Sequence, residues 1–260
     1  MKYAACIEYD GSAFMGWQFL KHGVSVQAAV EEAISRVANH PVKVICAGRT
    51  DTGVHGIGQI IHFESEAPRS LHSWKLGINS NLPDTVTLRW VQEIDDSFHA
   101  RFSAGARRYR YIVLNRDTRP AVLFNRVSWY RNPLDHEAMH EAAQHLMGRQ
   151  DFTSLRAAGC QAKHAVRELL DISVTREADM IYLDVKANAF LYHMVRNIAG
   201  TLFLVGEGKQ PASWIPELMA QKNRRFAGAT APAGGLYFVH VDYPAEFGLP
   251  TEYHLPRLAI

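Results

Sequence analysis

Val42-Lys43-Val44-Ile45-Cys46-Ala47-Gly48-Arg49-Thr50-Asp51-Thr52-Gly53-Val54-His55-Gly56-Ile57-Gly58-Gln59-Ile60-Ile61-His62-Phe63-Glu64 reads as two strands, 42–47 and 59–64, held apart by a glycine-rich segment from Gly48 to Gly58. Strand 2–9 precedes them, with Tyr3, Ala5, Ile7 and Tyr9 on one face by period-two alternation. Helix 26–38 follows Ser25, a good N-cap, and carries Val26, Val30, Ala33, Ile34 and Val37 at helical spacing. Pro41 marks a point by which that helix has ended. Helix 70–79 and strand 86–93 complete a β-α-β-β-α-β order.

The same order is predicted again beyond a basic connector. Strand 107–114, helix 135–148, strands 166–176 and 180–187, helix 190–205 and strand 236–243 make a second such half. The expected fold is therefore α+β, with two ferredoxin-like βαββαβ halves, mostly antiparallel pairing and an active-site cleft between them. The halves are assigned to residues 1–105 and 106–260. They differ at one place. Strands 166–176 and 180–187 need only a tight turn, whereas strands 42–47 and 59–64 are separated by a long loop. A loop longer than its connection requires is usually functional.

Composition narrows the function classes. The 260 residues are 47% hydrophobic and 21% charged, an ordinary globular balance. No stretch approaches the roughly 20 apolar residues of a membrane span. The start of the chain runs straight into a strand, without the pattern of a signal peptide, and a cytoplasmic location is expected. Cys6, Cys46 and Cys160 are far apart and odd in number, which suggests neither a disulfide framework nor a thiolate metal site. A net charge of +2 leaves a nucleic-acid partner open. Arginine clusters at Arg101, Arg107, Arg108 and Arg110, at Arg116 and Arg119, and at Lys222, Arg224 and Arg225 suit phosphates, and equally suit solvated faces.

Within the long loop, Asp51 lies between glycines and close to Arg49. A neighbouring guanidinium favours the ionised carboxylate, which can act as nucleophile or general base. The blander reading, an Asx-type turn with a surface arginine, is the commoner one for an Asp in such a loop. Tyr109 and Tyr111 share one face of a strand flanked by arginines, which fits a core pair or a stacking platform. Arg196 interrupts an apolar helix and reads as a snorkelling side chain or the partner of an anion. His136-Glu137-Ala138-Met139-His140 satisfies a zinc-protease pattern, but both histidines fall on the polar flank of their helix and no third ligand is indicated. His55, His62, His72 and His99 show no evident partners.

The run Ala47 to His55 resembles the catalytic motif of the tRNA pseudouridine synthase A family. Other runs are similar to the same family in order along the chain: Ile7-Glu8-Tyr9-Asp10-Gly11-Ser12, Gly16-Trp17-Gln18, Val26-Gln27, Phe98-His99-Ala100-Arg101-Phe102-Ser103-Ala104 and Arg108-Tyr109-Arg110-Tyr111. His193-Met194-Val195-Arg196-Asn197-Ile198-Ala199-Gly200 and Ala231-Pro232-Ala233-Gly234-Gly235-Leu236 continue the series. Phe19-Leu20 departs from it, standing where more polar residues are expected.

The resemblance implies specific roles. Asp51 matches the catalytic aspartate, and Arg196 the arginine that pairs with it. Tyr109 matches the tyrosine that stacks on the target base, Leu236 an apolar residue lining the pocket, and Arg49 a residue holding the loop against RNA. The implied substrate is tRNA at positions 38, 39 and 40 of the anticodon arm, where the target uridine must leave its stack. The isomerisation involves no redox step, so no cofactor and no metal are expected. A homodimer is implied as well. A non-catalytic tRNA-binding protein or RNA chaperone on the same scaffold is the alternative, and a zinc peptidase built on His136, Glu137 and His140 a remote one.

Overall fold

A computed structural model describes residues 1–19 and 22–258; Leu20, part of the departure noted above, lies outside them. The architecture is α+β with mostly antiparallel strands, and the chain forms two compact units. Unit 1 comprises Met1–Gly105 and Tyr237–His254; unit 2 comprises Ala106–Leu236 and the residues from Leu255.

In unit 1, β1 (Lys2–Tyr9) pairs antiparallel with β3 (His55–Glu64) on one side and β4 (Val86–Glu93) on the other. A short β2 (Ile45–Cys46) also pairs with β3. This is the ferredoxin-like strand order. Helix α1 (Val26–Ala38) begins where the Ser25 side chain accepts the Ala28 N–H and ends at Asn39, whose φ of 60° closes it ahead of Pro41. Helix α2 (Leu71–Asn81) is capped by Ser70, which accepts the Ser73 N–H. The two helices bury Val30, Ile34, Trp74 and Ile78 against Tyr3, Ile7 and Phe63 of the sheet. Tyr3 stacks on Phe63 at 5.2 Å. Each such fully buried large apolar side chain stabilises the unit by about 1.5–3 kcal/mol.

Strand 42–47 is shorter than predicted, for a physical reason. The Val42 N–H donates to Ser35 Oγ and the Val44 N–H to Glu31 Oε1, both on α1. Those amides are spent on helix side chains, so the ladder survives only at Ile45 and Cys46. Burial pushes the thiols of Cys6 and Cys46 up to about 12, which keeps both protonated and inert.

In unit 2, β5 (Ala106–Asn115), β9 (Met180–Ala187), β8 (Val166–Glu177) and β7 (Gly148–Asp151) are neighbours in that order, and β6 (Ser128–Tyr130) runs parallel to β5. Helix α3 (His136–Gln144) is shorter than the predicted 135–148, because Gly148 turns at φ 83° and starts β7 instead. Helix α4 (Met194–Gly206) begins later than predicted, because His193 takes a left-handed conformation at φ 58°. Helix α5 (Trp214–Ala220) was not foreseen. The last strand, β10 (Leu236–Asp242), was assigned by sequence to the half spanning 106–260. It pairs in parallel with β3 of unit 1 through Tyr237↔His55 and Phe238↔Gly56.

His62 on β3 has partners that the sequence did not reveal. Its Nδ1 accepts the Ala100 N–H at 3.0 Å, and its ring lies 4.8 Å from that of His99. Burial pushes its pKa from 6.5 down to about 4, with smaller contributions from His99 and Lys2. The folded chain thus keeps His62 neutral while the unfolded chain takes up a proton. The associated stability is present above pH 6.5 and is lost as pH falls toward 4. Denaturant titrations between those limits should show a decline of up to about 1.4 kcal/mol per pH unit. His62→Asn, which keeps an acceptor for Ala100, should flatten that decline; an unchanged curve would assign the pH dependence elsewhere.

Candidate functional site

The loop between β2 and β3 is bolted to unit 1 by residues drawn from well-separated stretches of sequence. Gln59, fully buried on β3, accepts the Gly48 N–H through Oε1 at 3.3 Å and donates its amide to the Gly48 carbonyl. The Ala47 N–H donates to the Ile60 carbonyl at 2.8 Å. The Tyr9 hydroxyl and Thr50 Oγ1 are 2.8 Å apart, and the Trp17 N–H donates to the Thr50 carbonyl at 3.0 Å. Burial holds the Tyr9 phenol protonated, well above its usual range. The ring of Trp17 packs against that of Tyr9 at 5.7 Å.

Two glycines permit this packing. Gly16 has φ 94°, and a Cβ there would stand 2.9 Å from the Thr50 carbonyl oxygen. A Cβ on Gly11 would lie 1.9 Å from the Val54 carbonyl oxygen. At the far end of the loop, the Val54 N–H donates to the Asp51 carbonyl at 3.1 Å. His55 Nδ1 lies 3.1 Å from both the Gly11 nitrogen and Asp10 Oδ1, so its tautomer decides which it serves, and its ring stacks on Tyr237 at 4.7 Å.

Asp51 is half-buried at the centre of this loop, and Arg49 beside it is exposed. The backbone on either side of the carboxylate is held at Thr50 and at Val54. A carboxylate on so constrained a loop can act without reorganising, which is where catalytic positioning gains its advantage. The motif identified Asp51 and Arg49. It did not identify Tyr9, Gly11, Gly16, Trp17 or Gln59 as the residues that fix them. For Tyr9, Gly11, Gly16 and Trp17 the only signal was their presence in the opening runs that resemble the same family; Gln59 lies outside every such run.

The remaining predicted site residues, Tyr109, Arg196 and Leu236, belong to unit 2. Tyr109 is largely buried on β5, edge-on to Phe190 at 4.9 Å. Its strand neighbour Tyr111 is a core residue whose hydroxyl donates to the Pro232 carbonyl at 2.7 Å. Arg196, in the first turn of α4, is half-buried. Its Nε donates to the Ala231 carbonyl at 2.8 Å, and the Ala231 N–H returns a bond to the Arg196 carbonyl at 3.1 Å. Leu236 is buried at the start of β10.

The arginine clusters are less uniform than their spacing suggests. Arg110 is buried and grips both oxygens of Asp184, at 2.8 and 2.6 Å. Arg108 pairs with Asp171 at 2.9 Å, and Arg107 donates to the Asn188 carbonyl at 2.9 Å. Arg224 donates to Asn197, Thr230 and Ala227. Arg110 and Arg224 therefore hold the fold, while Arg101, Arg119 and Arg225 are exposed.

In the His-Glu-x-x-His stretch, His140 Nδ1 accepts the Val174 N–H at 3.1 Å. Among the described residues, no group of three His, Cys, Asp or Glu side chains is placed to hold a metal. No described helix is long and apolar enough to cross a membrane.

A family model described as tRNA pseudouridine synthase matches residues 5–103 and 142–244. A tRNA pseudouridine synthase A of Aeromonas salmonicida is 57% identical over 250 residues, covering 96% of this chain and 93% of the relative. Proteins of the same description from Shigella boydii and Aeromonas hydrophila are 55% and 54% identical, with 96% of this chain covered in each case and 92% and 93% of the relatives.

Proposed function

The chain belongs to the tRNA pseudouridine synthase family, and on that premise we propose that it isomerises uridine to pseudouridine at positions 38, 39 and 40 of the tRNA anticodon arm, with Asp51 as the reacting carboxylate. The match to the family model carries this reading, because it spans Asp51, Arg196 and Leu236. Tyr109 falls between the two matched stretches, and its role rests on the resemblance of its own motif.

The chemistry asks little of the protein beyond placement and charge. The C1′–N1 glycosidic bond breaks, the freed uracil turns, and C5 joins C1′. The hydrogen on C5 is lost to solvent while N1 gains one, so the reaction balances without an oxidant. Asp51 attacks C1′, stabilises positive charge there or removes the C2′ proton. Arg196 is assigned, from the resemblance, as the cationic partner of the Asp51 carboxylate. Tyr109 stacks on the flipped uracil, returning about 1–3 kcal/mol of the cost of unstacking it. Leu236 lines the base pocket, and Arg49 meets the RNA beside the flipped nucleotide.

Tritium release from tRNA labelled at uracil C5 tests the activity, and pseudouridine mapping in tRNA from cells lacking the protein tests the positions. Tight tRNA binding without tritium release would instead indicate a non-catalytic binding protein. Loss of pseudouridine elsewhere, with positions 38 to 40 intact, would overturn the assigned target. Arg196→Ala is expected to lower turnover by about tenfold to a hundredfold, as loss of one electrostatic partner does, with a much smaller change in tRNA affinity. Equal losses in both would make Arg196 a tRNA contact only. The resemblance also carries a cytoplasmic homodimer in which one tRNA touches both subunits, and sedimentation with and without tRNA checks the stoichiometry.

A further inference from the structure

Phe102 is 76% exposed, an unusual placement for a phenylalanine held so firmly. Its ring lies flat on that of His99, with centroids 4.3 Å apart and planes 27° from parallel. The Arg101 guanidinium stands 5.5 Å from the centre of the Phe102 ring.

The turn beneath is closed by its own hydrogen bonds. His99 Nδ1 accepts the N–H groups of both Arg101 and Phe102, each at 3.2 Å. The His99 N–H donates to Ser103 Oγ at 3.0 Å, and the Ser103 N–H to the His99 carbonyl at 2.9 Å. The turn is also fastened to the unit 1 core. The Ala100 N–H donates to His62 Nδ1, and its carbonyl accepts the Tyr243 hydroxyl at 2.6 Å. Phe98, fully buried, packs against Tyr243 and Phe247, each at 5.1 Å. Burial lowers the pKa of both His62 and His99, which favours neutral rings, and the two N–H groups aimed at His99 Nδ1 select the tautomer in which it accepts.

We propose that Phe102, backed by His99 and flanked by Arg101, is a preformed stacking platform for an unpaired base of the tRNA substrate, separate from the reacting uridine. The inference rests on the family reading of the chain. An exposed aromatic face offers stacking to any base, and the adjacent guanidinium offers charge to the neighbouring phosphate. Because the turn is already ordered, little conformational freedom is lost when the base docks. An exposed ring serving a protein partner would gain from apolar neighbours; here the neighbours are a histidine ring and a cation.

The test is tRNA binding and single-turnover kinetics of Phe102→Ala, Phe102→Trp and Arg101→Ala. Phe102→Ala should weaken tRNA binding by about fivefold to a hundredfold, the range of one lost base stack. The rate at saturating tRNA should change by less than about twofold, because a ground-state contact is lost without altering the reacting groups. Phe102→Trp should restore affinity, with its fluorescence quenched by tRNA. Arg101→Ala should reduce the salt dependence of binding by about one phosphate contact, and Phe102→Ala should leave that dependence unchanged. Wild-type affinity in Phe102→Ala would overturn the platform. So would a change of oligomeric state with tRNA affinity intact, which would mark a protein interface. A wild-type enzyme that neither binds tRNA nor releases tritium would instead remove the family reading itself.

Discussion

Asp51→Asn is expected to reduce tritium release from C5-labelled tRNA by at least about four orders of magnitude, as loss of a reacting side chain does in other enzymes. Asparagine keeps the size and shape of aspartate. The backbone constraints around position 51 do not use its side chain. The Asp51 carbonyl would still accept the Val54 N–H, and Thr50 would still be held by Tyr9 and Trp17. The loop should therefore persist, with a melting temperature within about 2 °C of wild type, as for substitutions that create no cavity. An amide can neither form an ester at C1′ nor remove a C2′ proton, so chemistry stops while tRNA still binds, with an affinity within about threefold. Retention of more than about one per cent of wild-type turnover would show that another group reacts, since uncatalysed isomerisation is far slower.

Asp51 stood out in the sequence because glycines around an Arg-x-Asp make a distinctive local pattern, and local patterns survive in one dimension. The strands 2–9, 86–93 and 180–187 and helix 26–38 were legible for the same reason: their periodicity is carried within each element. What failed depended on partners distant in sequence. Strand 42–47 shrank because Ser35 and Glu31 of α1 take its amides. Short β6 and β7 have too few residues to show a period. Arg110 sat in a cluster that suited phosphates and solvated faces equally until register placed it opposite Asp184 on β9. Histidines 62 and 99 looked idle because their partners are backbone amides, which leave no trace in composition.

Gly11→Ala, far from Asp51 in sequence, is expected to lower turnover by about a hundredfold, the scale of a misplacement of about 1 Å at a reacting group. The added methyl would lie 1.9 Å from the Val54 carbonyl oxygen and 2.4 Å from its carbonyl carbon. Both are backbone atoms, so no rotamer change relieves the overlap. Either the turn at Gly11–Ala13 or the end of the loop must move. Gly11 opens that turn beneath buried β1, and its N–H faces His55 Nδ1, so the loop takes much of the displacement. Val54 is tied to Asp51 by the hydrogen bond from its N–H, and a shift of one carries the other. Overpacking of this kind also costs about 1–3 kcal/mol of stability. Gly105→Ala is the control for replacing a glycine as such: its Cβ would meet only the Asp242 carbonyl oxygen, at 3.8 Å. Circular dichroism melts separate the stability loss from the catalytic one, and assays well below the melting point isolate the latter. If Gly11→Ala melts lower yet turns over at the wild-type rate, the position of Asp51 does not depend on the packing beneath its loop. If turnover falls while tRNA affinity holds, the carboxylate is positioned by a contact that contains no side-chain atom of either partner, which explains why no pattern of side chains announced it.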